Sequence, residues 1–253
     1  MELSFNKQLQ QVCKEKNNYL CIGLDIDPNK FIKGRDTSID GIYEFGKEVI
    51  NGTIDFCPIY KPNFAFFERY GSQGYSVLEK LVDHINGRAI VIADAKRGDI
   101  GNTSKYYYES ILNVMGCDAI TISPYMGRDA IKPFISDSKK GVFILALTSN
   151  PSALEIQNHG AIEKPMFAKV IEIANELNKK DNIGLVVGAT QVDLLDKVEL
   201  ISKNMPWLIP GIGSQGGDLN QIINADRLGI INVSRSILYA GQGTIEDIVD
   251  KAQ

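Results

Sequence analysis

Three charged residues that could do chemistry together stand directly behind an apolar stretch. Segment 93–103 reads Ala-Asp-Ala-Lys-Arg-Gly-Asp-Ile-Gly-Asn-Thr, and within it Asp94, Lys96 and Asp99 alternate in sign. In extended backbone, residues i and i+2 face the same side, so Asp94 and Lys96 should point together from a strand end, while Gly98 lets the chain turn before Asp99. A lysine ammonium held among carboxylates can stabilise an anion and then protonate it. Because the same spacing also occurs in solvated loops that cap a helix, the surrounding elements decide between the two interpretations.

Short apolar stretches alternate with amphipathic ones along the whole chain, and this predicts how the charged residues are positioned. Eight candidate strands lie at 19–24, 54–60, 89–93, 119–122, 142–147, 183–187, 207–209 and 228–233, with helical patterns such as 39–50, 75–85, 105–114 and 166–177 between them. Such alternation over 253 residues, without a Pro-, Gly- or Ser-rich linker, is typical of an α/β fold, a single (β/α)8 TIM barrel spanning residues 1–253. Apolar residues at helical spacing predict an extra N-terminal helix; they are Phe5, Leu9, Val12 and Cys13.

Polar residues follow these strands at one end, where a barrel carries its chemistry. They are Asp25, Lys61, Asn63, Asp94, Lys96, Ser123, Thr148, Ser149, Gln215, Ser234 and Arg235. The glycine-rich segment 211–217 follows the seventh strand and lets backbone N–H groups approach a phosphate, and Arg235 after the eighth strand adds a fork of donors. The Gly-x-Gly-x-x-Gly spacing at 211–216 leaves a doubly wound dinucleotide-binding fold as an alternative, although too few residues follow it to complete such a domain.

Four ordered motifs within residues 20–239 resemble those of the orotidine 5'-phosphate decarboxylase family. They are segment 93–103, Tyr-Lys-Pro-Asn-Phe-Ala-Phe-Phe-Glu at 60–68, Thr-Ser-Asn-Pro at 148–151, and Pro-Gly-Ile-Gly-Ser-Gln-Gly-Gly-Asp at 210–218. The wording Asp-Ala-Lys-Arg-Gly-Asp-Ile is similar to that of the longer subgroup, found in many bacteria and some protists. The resemblance implies conversion of orotidine 5'-phosphate to uridine 5'-phosphate (UMP) and CO2, the last step of de novo pyrimidine synthesis.

By this resemblance, four residues of alternating charge form the catalytic tetrad. They are Lys61, Asp94, Lys96 and Asp99. In the family reaction the substrate carboxylate comes against Asp94, loss of CO2 leaves a carbanion at C6 of the pyrimidine, and Lys96 stabilises and protonates that carbon. Asp99, Ile100 and Thr103 match family residues that reach into the neighbouring subunit's pocket. The resemblance therefore implies a homodimer with shared active sites.

The resemblance also implies a set of substrate-binding residues. They are Asp25, Asn63, Ile100, Thr103, Thr148, Ser149, Pro210, Gln215, Ser234 and Arg235. Arg235 and Gln215 would contact the phosphate, Gln215 would also meet Ser149 across the pyrimidine, and Asp25 would bind a ribose hydroxyl. Ser234 departs from the family, which often has glycine there. Its backbone N–H contact survives this exchange unless the position needs a positive φ.

No cofactor or metal is expected for this chemistry. The chain has two histidines, too few for a histidine-rich metal site, and its four cysteines form no C-x-x-C pair. A Mg²⁺-dependent sugar-phosphate decarboxylase or synthase of the same barrel superfamily is one alternative, although Lys61 puts a cation where acidic metal ligands would be expected. A non-catalytic nucleotide-binding barrel is the other, and it would predict a missing tetrad member.

Composition narrows the class of partner and the compartment. A net charge of -4 and a pI near 5.3 argue against a nucleic-acid or anionic membrane surface. The N-terminal segment lacks the apolar run of a signal peptide, and no stretch reaches membrane-spanning length. With the cysteines expected to be reduced core thiols, a cytoplasmic protein is predicted.

Overall fold

A closed ring of eight parallel strands forms the centre of the computed structural model, which describes residues 2–161, 164–190, 192–211 and 228–253. The strands are β1 (Leu20–Leu24), β2 (Ile59–Pro62), β3 (Ile90–Arg97), β4 (Ala119–Ile122), β5 (Gly141–Leu147), β8 (Ile183–Val187), β9 (Trp207–Pro210) and β10 (Gly229–Val233); β6 (Gly160–Ala161) and β7 (Lys164–Pro165) form a separate antiparallel pair. Because β1 pairs with both β2 and β10, the sheet has no open edge. The predicted TIM barrel is confirmed, and the doubly wound alternative is wrong.

Helices surround this ring, and the first of them lies at its amino end. They are α1 (Phe5–Glu15), α2 (Ile39–Thr53), α3 (Ala65–Glu68), α4 (Ser72–Ile85), α5 (Gly101–Tyr108), α6 (Arg128–Ile131), α7 (Ala153–Gln157), α8 (Met166–Leu177), α9 (Val192–Ser202), α10 (Arg235–Leu238) and α11 (Ile245–Ala252), with a 3-10 turn at Pro28–Lys30 and a π-helical continuation of α5 at Glu109–Val114. Strands β1, β4 and β8 are almost wholly buried, which explains their continuous apolar composition. In the described ranges, no helix combines the length and apolarity needed to cross a lipid bilayer.

The second strand begins five residues later than the apolar stretch 54–60 predicts. Helix α2 runs to Thr53, and the N–H of Ile54 still donates to the carbonyl of Ile50 at 2.8 Å. Pro58 has no N–H for a ladder, so pairing starts at Ile59. The strand therefore extends through Lys61, which lies inside the barrel wall and not on the loop behind it.

The predicted N-terminal helix is confirmed, and it fills the amino end of the barrel. Phe5 and Leu9 of α1 belong to a cluster of buried side chains that includes Phe143 and Leu208 from the strands. The rings of Phe5 and Phe143 meet edge to face, with centroids 6.2 Å apart. A Cβ on Gly141 would lie 2.2 Å from the Phe5 ring, so glycine makes room for this plug. The four cysteines are free and buried, as expected.

Candidate active site

A cavity of about 450 Å³ opens at the carboxyl end of the strands. Its size suits a small organic ligand. Nine of the residues predicted to form the site line it: Asp25, Lys61, Asp94, Lys96, Thr148, Ser149, Pro210, Ser234 and Arg235. The strand ends thus bring together residues that lie more than 200 positions apart in the sequence.

Asp94 lies between two lysines at the buried side of this cavity. Its Oδ2 atom is 2.7 Å from Nζ of Lys61, and its Oδ1 atom pairs with Nζ of Lys96. The side chains of Lys61 and Asp94 are 5% and 11% exposed, whereas that of Lys96 is 51% exposed. Two of the three charges are therefore fixed in the wall, and the third reaches into the opening.

These contacts keep the buried pair ionised. Burial alone would raise the pKa of Asp94, but the positive charges of Lys61 and Lys96 outweigh it and hold that pKa well below its usual range. Burial likewise opposes the charged form of Lys61, and the negative charges of Asp94 and then Asp25 outweigh it and raise the Lys61 pKa. The buried Lys61–Asp94 pair is thus already ionised near neutral pH, before a ligand enters.

A bulge in β3 places Asp94 and Lys96 on the same side. Ala93 pairs with Ile120 and Arg97 with Ile122, so three residues of β3 stand opposite the single residue Thr121 of β4. Lys96 has a φ of 46°, in the left-handed region. The two side chains meet as the spacing predicts, but through a bulge and not through regular extended backbone.

Gly98 does not play the part in the turn before Asp99 that the sequence predicted for it. Gly98 is not among the glycines with positive φ, whereas Gly101 is, at 54°. A Cβ on Gly98 would lie 3.1 Å from the carbonyl oxygen of Ser123, so this glycine allows close packing of two loops. The two residues with positive φ in this segment are thus Lys96 and Gly101, and not Gly98.

Thr121 connects the two sides of the bulge. Its Oγ1 atom accepts from the N–H of Lys96 at 3.0 Å and donates to Oδ1 of Asp94 at 3.2 Å. Thr121 was not among the residues predicted from the sequence. Its signal was a single hydroxyl inside the apolar run Ala-Ile-Thr-Ile, a pattern equally typical of a β-branched residue in a strand.

The other side of the cavity presents polar atoms and a guanidinium. Three buried oxygens there have no hydrogen-bond partner in the described part of the chain: Oδ1 of Asp25, Oδ1 of Asn232 and Oγ of Ser234. Arg235 begins α10 and is exposed at the opening. The φ of Ser234 is -125°, so the position does not require glycine. Asn232, which the sequence analysis also missed, projects from β10 beside Gly23.

The loop after β5 is held against the cavity from two directions. The N–H of Thr148 donates to Oε1 of Gln157 at 2.8 Å, and Nε2 of Gln157 donates back to Oγ1 of Thr148 at 2.8 Å. Oγ1 of Thr190 donates to the carbonyl of Ser149 at 3.1 Å. A Cβ on Gly188 would lie 2.7 Å from the Ser149 nitrogen, so the loops pack closely. Gln157 is a third lining residue that the sequence analysis missed.

Four of the predicted residues do not line the cavity of their own chain: Asn63, Asp99, Ile100 and Thr103. Oδ1 of Asn63 accepts from the N–H of Ala65 at 3.3 Å, and Oδ1 of Asp99 accepts from the N–H of Ile100 at 2.7 Å. Ile100 is 54% exposed. Gln215 and most of the glycine-rich segment lie outside the described residues.

Comparison with known proteins gives consistent similarities. A family model described as Orotidine 5'-phosphate decarboxylase / HUMPS family matches residues 18–246. A curated orotidine 5'-phosphate decarboxylase from Dehalococcoides mccartyi is 43% identical over 251 residues, which cover 96% of this chain and 91% of that protein. The solved OMP decarboxylase of Leishmania donovani is 33% identical with a TM-score of 0.86, over 99% of this chain and 94% of that one. The UMP synthase of the same organism is also similar, with 33% identity and a TM-score of 0.87, and this chain covers 56% of it.

Proposed function

We infer that this chain, which belongs to the orotidine 5'-phosphate decarboxylase / HUMPS family, converts orotidine 5'-phosphate to UMP and CO2 in pyrimidine synthesis. Its 43% identity to a curated decarboxylase across nearly the whole chain supports this activity over the sugar-phosphate alternative. The observation that carries the chemistry is the Lys61–Asp94–Lys96 array in a cavity of ligand size. All three members are present, which disfavours a non-catalytic binding barrel.

The array supports a mechanism that needs only the side chains of the protein. Asp94 would face the substrate carboxylate, and the like charges repel each other. The bond between C6 and the carboxyl carbon breaks, CO2 leaves, and the electron pair stays on C6. Nζ of Lys96 then transfers a proton to C6, and the neutral amine regains a proton from solvent.

In this proposal, stabilisation of the C6 carbanion by Lys96 lowers the barrier more than repulsion between Asp94 and the substrate carboxylate does. Asp94 already holds Lys61 and Lys96 in place through hydrogen bonds, so the ammonium of Lys96 needs no reorganisation as charge develops on C6. Repulsion between Asp94 and the substrate carboxylate is weakened because both lysines neutralise Asp94. Thr121 contributes by fixing the backbone nitrogen of Lys96 relative to the Asp94 carboxylate.

The opposite side of the cavity would bind the rest of the nucleotide. We assign the phosphate to Arg235, whose guanidinium lies at the start of α10, with the backbone of Ser234 beside it. Asp25 would bind a ribose hydroxyl, which offers a partner to its unpaired Oδ1 atom. Ser149 would meet the base edge from the loop after β5. Pro210 and Thr148 line the same space, and a phosphate contact by Gln215 stays a prediction.

Arg235→Ala should lower kcat/KM for orotidine 5'-phosphate by roughly 10- to 100-fold, because hydrogen bonds to charged groups contribute about 1.5–3 kcal/mol. Turnover of unphosphorylated orotidine should hardly change, since the lost binding energy belongs to the remote phosphate. Steady-state kinetics with both substrates measure the difference. Arg128→Ala, which removes an exposed arginine paired with Glu176, is the control. Equal losses on both substrates would show that Arg235 supports the fold and does not hold phosphate.

A homodimer with shared active sites is part of the proposal. Asp99, Ile100 and Thr103 lie outside the cavity of their own chain. Exposed apolar side chains lie nearby at the N-cap of α5, on α5 and before α6, namely Ile100, Tyr106, Tyr125 and Met126, and α5 packs against α6. A second copy seated on this surface would bury it and could bring Asp99 to the neighbouring array. A cytoplasmic location stays a prediction from composition.

The activity is tested by following the absorbance of orotidine 5'-phosphate with purified protein and an excess of chelator. Decay at the same rate with and without chelator is expected, because Lys96 and not a metal supplies the positive charge at C6. Loss of activity with chelator and its return with Mg²⁺ would favour the metal-dependent alternative. Binding of UMP without any decay would indicate a non-catalytic barrel.

A further inference from the structure

Lys96 has an unusual backbone conformation for a lysine. Its φ of 46° lies in the left-handed region, where a side chain with a Cβ costs roughly 1–2 kcal/mol. Such a conformation persists only where surrounding contacts fix it, and it clusters at functional sites. Thr121 holds the N–H of Lys96 on one side. The residues on the other side of the bulge therefore decide whether the conformation is stable.

Arg97 supplies the contact on that other side. Its Nη1 atom donates to the carbonyl of Ala95 at 3.1 Å, so the guanidinium of Arg97 reaches back across Lys96. Its Nη2 atom pairs with Glu68 at the end of α3 and donates to the hydroxyl of Tyr75 in α4 at 3.2 Å. The strand end that carries Lys96 is thereby tied to two helices that follow Lys61 in the chain.

Two aromatic rings hold the same guanidinium. The Cζ atom of Arg97 lies 5.7 Å from the ring centre of Phe64 and 5.3 Å from that of Tyr107. The N–H of Phe64 in turn donates to the carbonyl of Asp94 at 3.2 Å. Burial would lower the pKa of Arg97, but its hydrogen bond and charge interaction with Glu68 outweigh that effect and raise it. The arginine is therefore charged and held on several sides.

We propose that Arg97 is a positioning residue for catalysis. By fixing the Ala95 carbonyl, it keeps the left-handed turn at Lys96 and so directs the Lys96 ammonium towards Asp94 and the reacting carbon. Arg97 does not line the cavity and would not touch substrate. The inference rests on the proposed function, because it assigns Arg97 to the step in which Lys96 protonates C6.

The geometry requires arginine and not merely a positive charge. The acceptors are a backbone carbonyl, a carboxylate and a phenol hydroxyl, and only the planar guanidinium presents separate donors to all of them while its faces meet rings. A lysine at this position would keep the charge near Glu68 as a point charge. It would lose the simultaneous hold on Ala95.

The experiment compares Arg97→Lys with a matched arginine elsewhere. Arg35 has the same side-chain exposure, 19%, pairs with Glu48 at 2.7 Å, and has its Cζ atom 5.9 and 4.9 Å from the ring centres of Phe31 and Phe45. None of these three partners belongs to β3. Arg35→Lys therefore removes a comparable set of interactions away from the site.

Arg97→Lys should lower kcat by roughly 10- to 100-fold, as expected for slight misplacement of a catalytic group. KM and the dissociation constant of UMP should stay within about twofold, because uniform binding is untouched. Arg35→Lys should keep kcat within about twofold of wild type, even if it lowers Tm as much as Arg97→Lys does. Glu68→Gln keeps the size of the side chain that anchors the Arg97 guanidinium but removes its negative charge. This variant should lower kcat in the same way as Arg97→Lys, but by a smaller factor.

Several outcomes would overturn the proposal. One such outcome is a wild-type kcat in Arg97→Lys. Another is a parallel loss of kcat and UMP affinity in Arg97→Lys that Arg35→Lys shows as well. If Arg97→Lys does not fold, Glu68→Gln decides the question. An unchanged kcat in Glu68→Gln would contradict the proposal, whereas a lower kcat with unchanged UMP binding would support it. The wild-type rate in the same assay tests the proposed function separately, since a failure there is visible before any variant is compared.

Discussion

Replacing Lys96 with alanine should abolish nearly all turnover of orotidine 5'-phosphate while UMP still binds. Lys96 is the proposed proton donor to C6, and its ammonium also stabilises the carbanion. Because a general acid contributes about 10²–10⁴-fold and a preorganised charge about 10²–10³-fold, kcat should fall by on the order of 10⁴-fold or more. The phosphate and ribose contacts are made by other residues, so the dissociation constant of UMP should change little.

Single-turnover kinetics and UMP titration measure the two quantities separately. Lys105→Ala is the matched control, because Lys105 is an exposed lysine of the adjoining helix α5 that pairs with Glu109. A Lys96→Ala enzyme that keeps more than about a tenth of wild-type kcat would exclude Lys96 as the proton donor, since such a loss amounts to only ~1.4 kcal/mol.

Two inactive variants, Lys96→Ala and Asp99→Ala, should regain activity when they are unfolded together and refolded. In a mixed dimer one pocket combines both substitutions, while the other takes intact Lys96 from one chain and intact Asp99 from its partner. Random pairing makes about half of the dimers mixed, so activity should approach roughly a quarter of the wild-type sites. The expectation depends on Asp99 acting in the neighbouring pocket, which is consistent with its place outside its own cavity.

Asp94→Ala mixed with Lys96→Ala provides the control. Asp94 and Lys96 pair within one chain, so every pocket of that mixture lacks one of them and should stay inactive. Mixed dimers can be shown to form in both experiments by tagging one variant. If tagged mixed dimers of Lys96→Ala and Asp99→Ala form and remain inactive, Asp99 acts within its own chain and the sites are not shared.

The sequence predicted the barrel because its signal is repeated along the chain. Eight apolar stretches with helical patterns between them allow few other arrangements, and the spacing of Phe5, Leu9 and Cys13 indicated the first helix. The end at which α1 docks was not predictable, because periodicity describes one face of a helix and not its partner. The start of β2 was misplaced because Ile54, Phe56 and Cys57 continue the apolar pattern while their N–H groups still donate back to the last turn of α2.

The site was predictable where its residues belong to contiguous motifs and not where it depends on backbone geometry. Asp94 and Lys96 were identified from a spacing of two, although the bulge that joins them leaves no mark in the sequence. Thr121, Gln157 and Asn232 stand in stretches that read as ordinary strand or loop. Their presence at the cavity follows from register and loop packing, which arise only when distant segments meet.

The position of α1 at the amino end of the barrel affects how substrate, CO2 and product enter and leave the cavity. With Phe5 and Leu9 filling the amino end of the barrel, substrate, CO2 and product share the opening at the carboxyl end. In the proposed mechanism, CO2 is released beside the carbanion at the buried side of the cavity, where Lys61 and Asp94 lie. The two fragments could recombine until C6 is protonated, so in this proposal the proton from Lys96 makes the cleavage irreversible. A barrel sealed at one end thus depends on a donor that is already in place when the bond breaks.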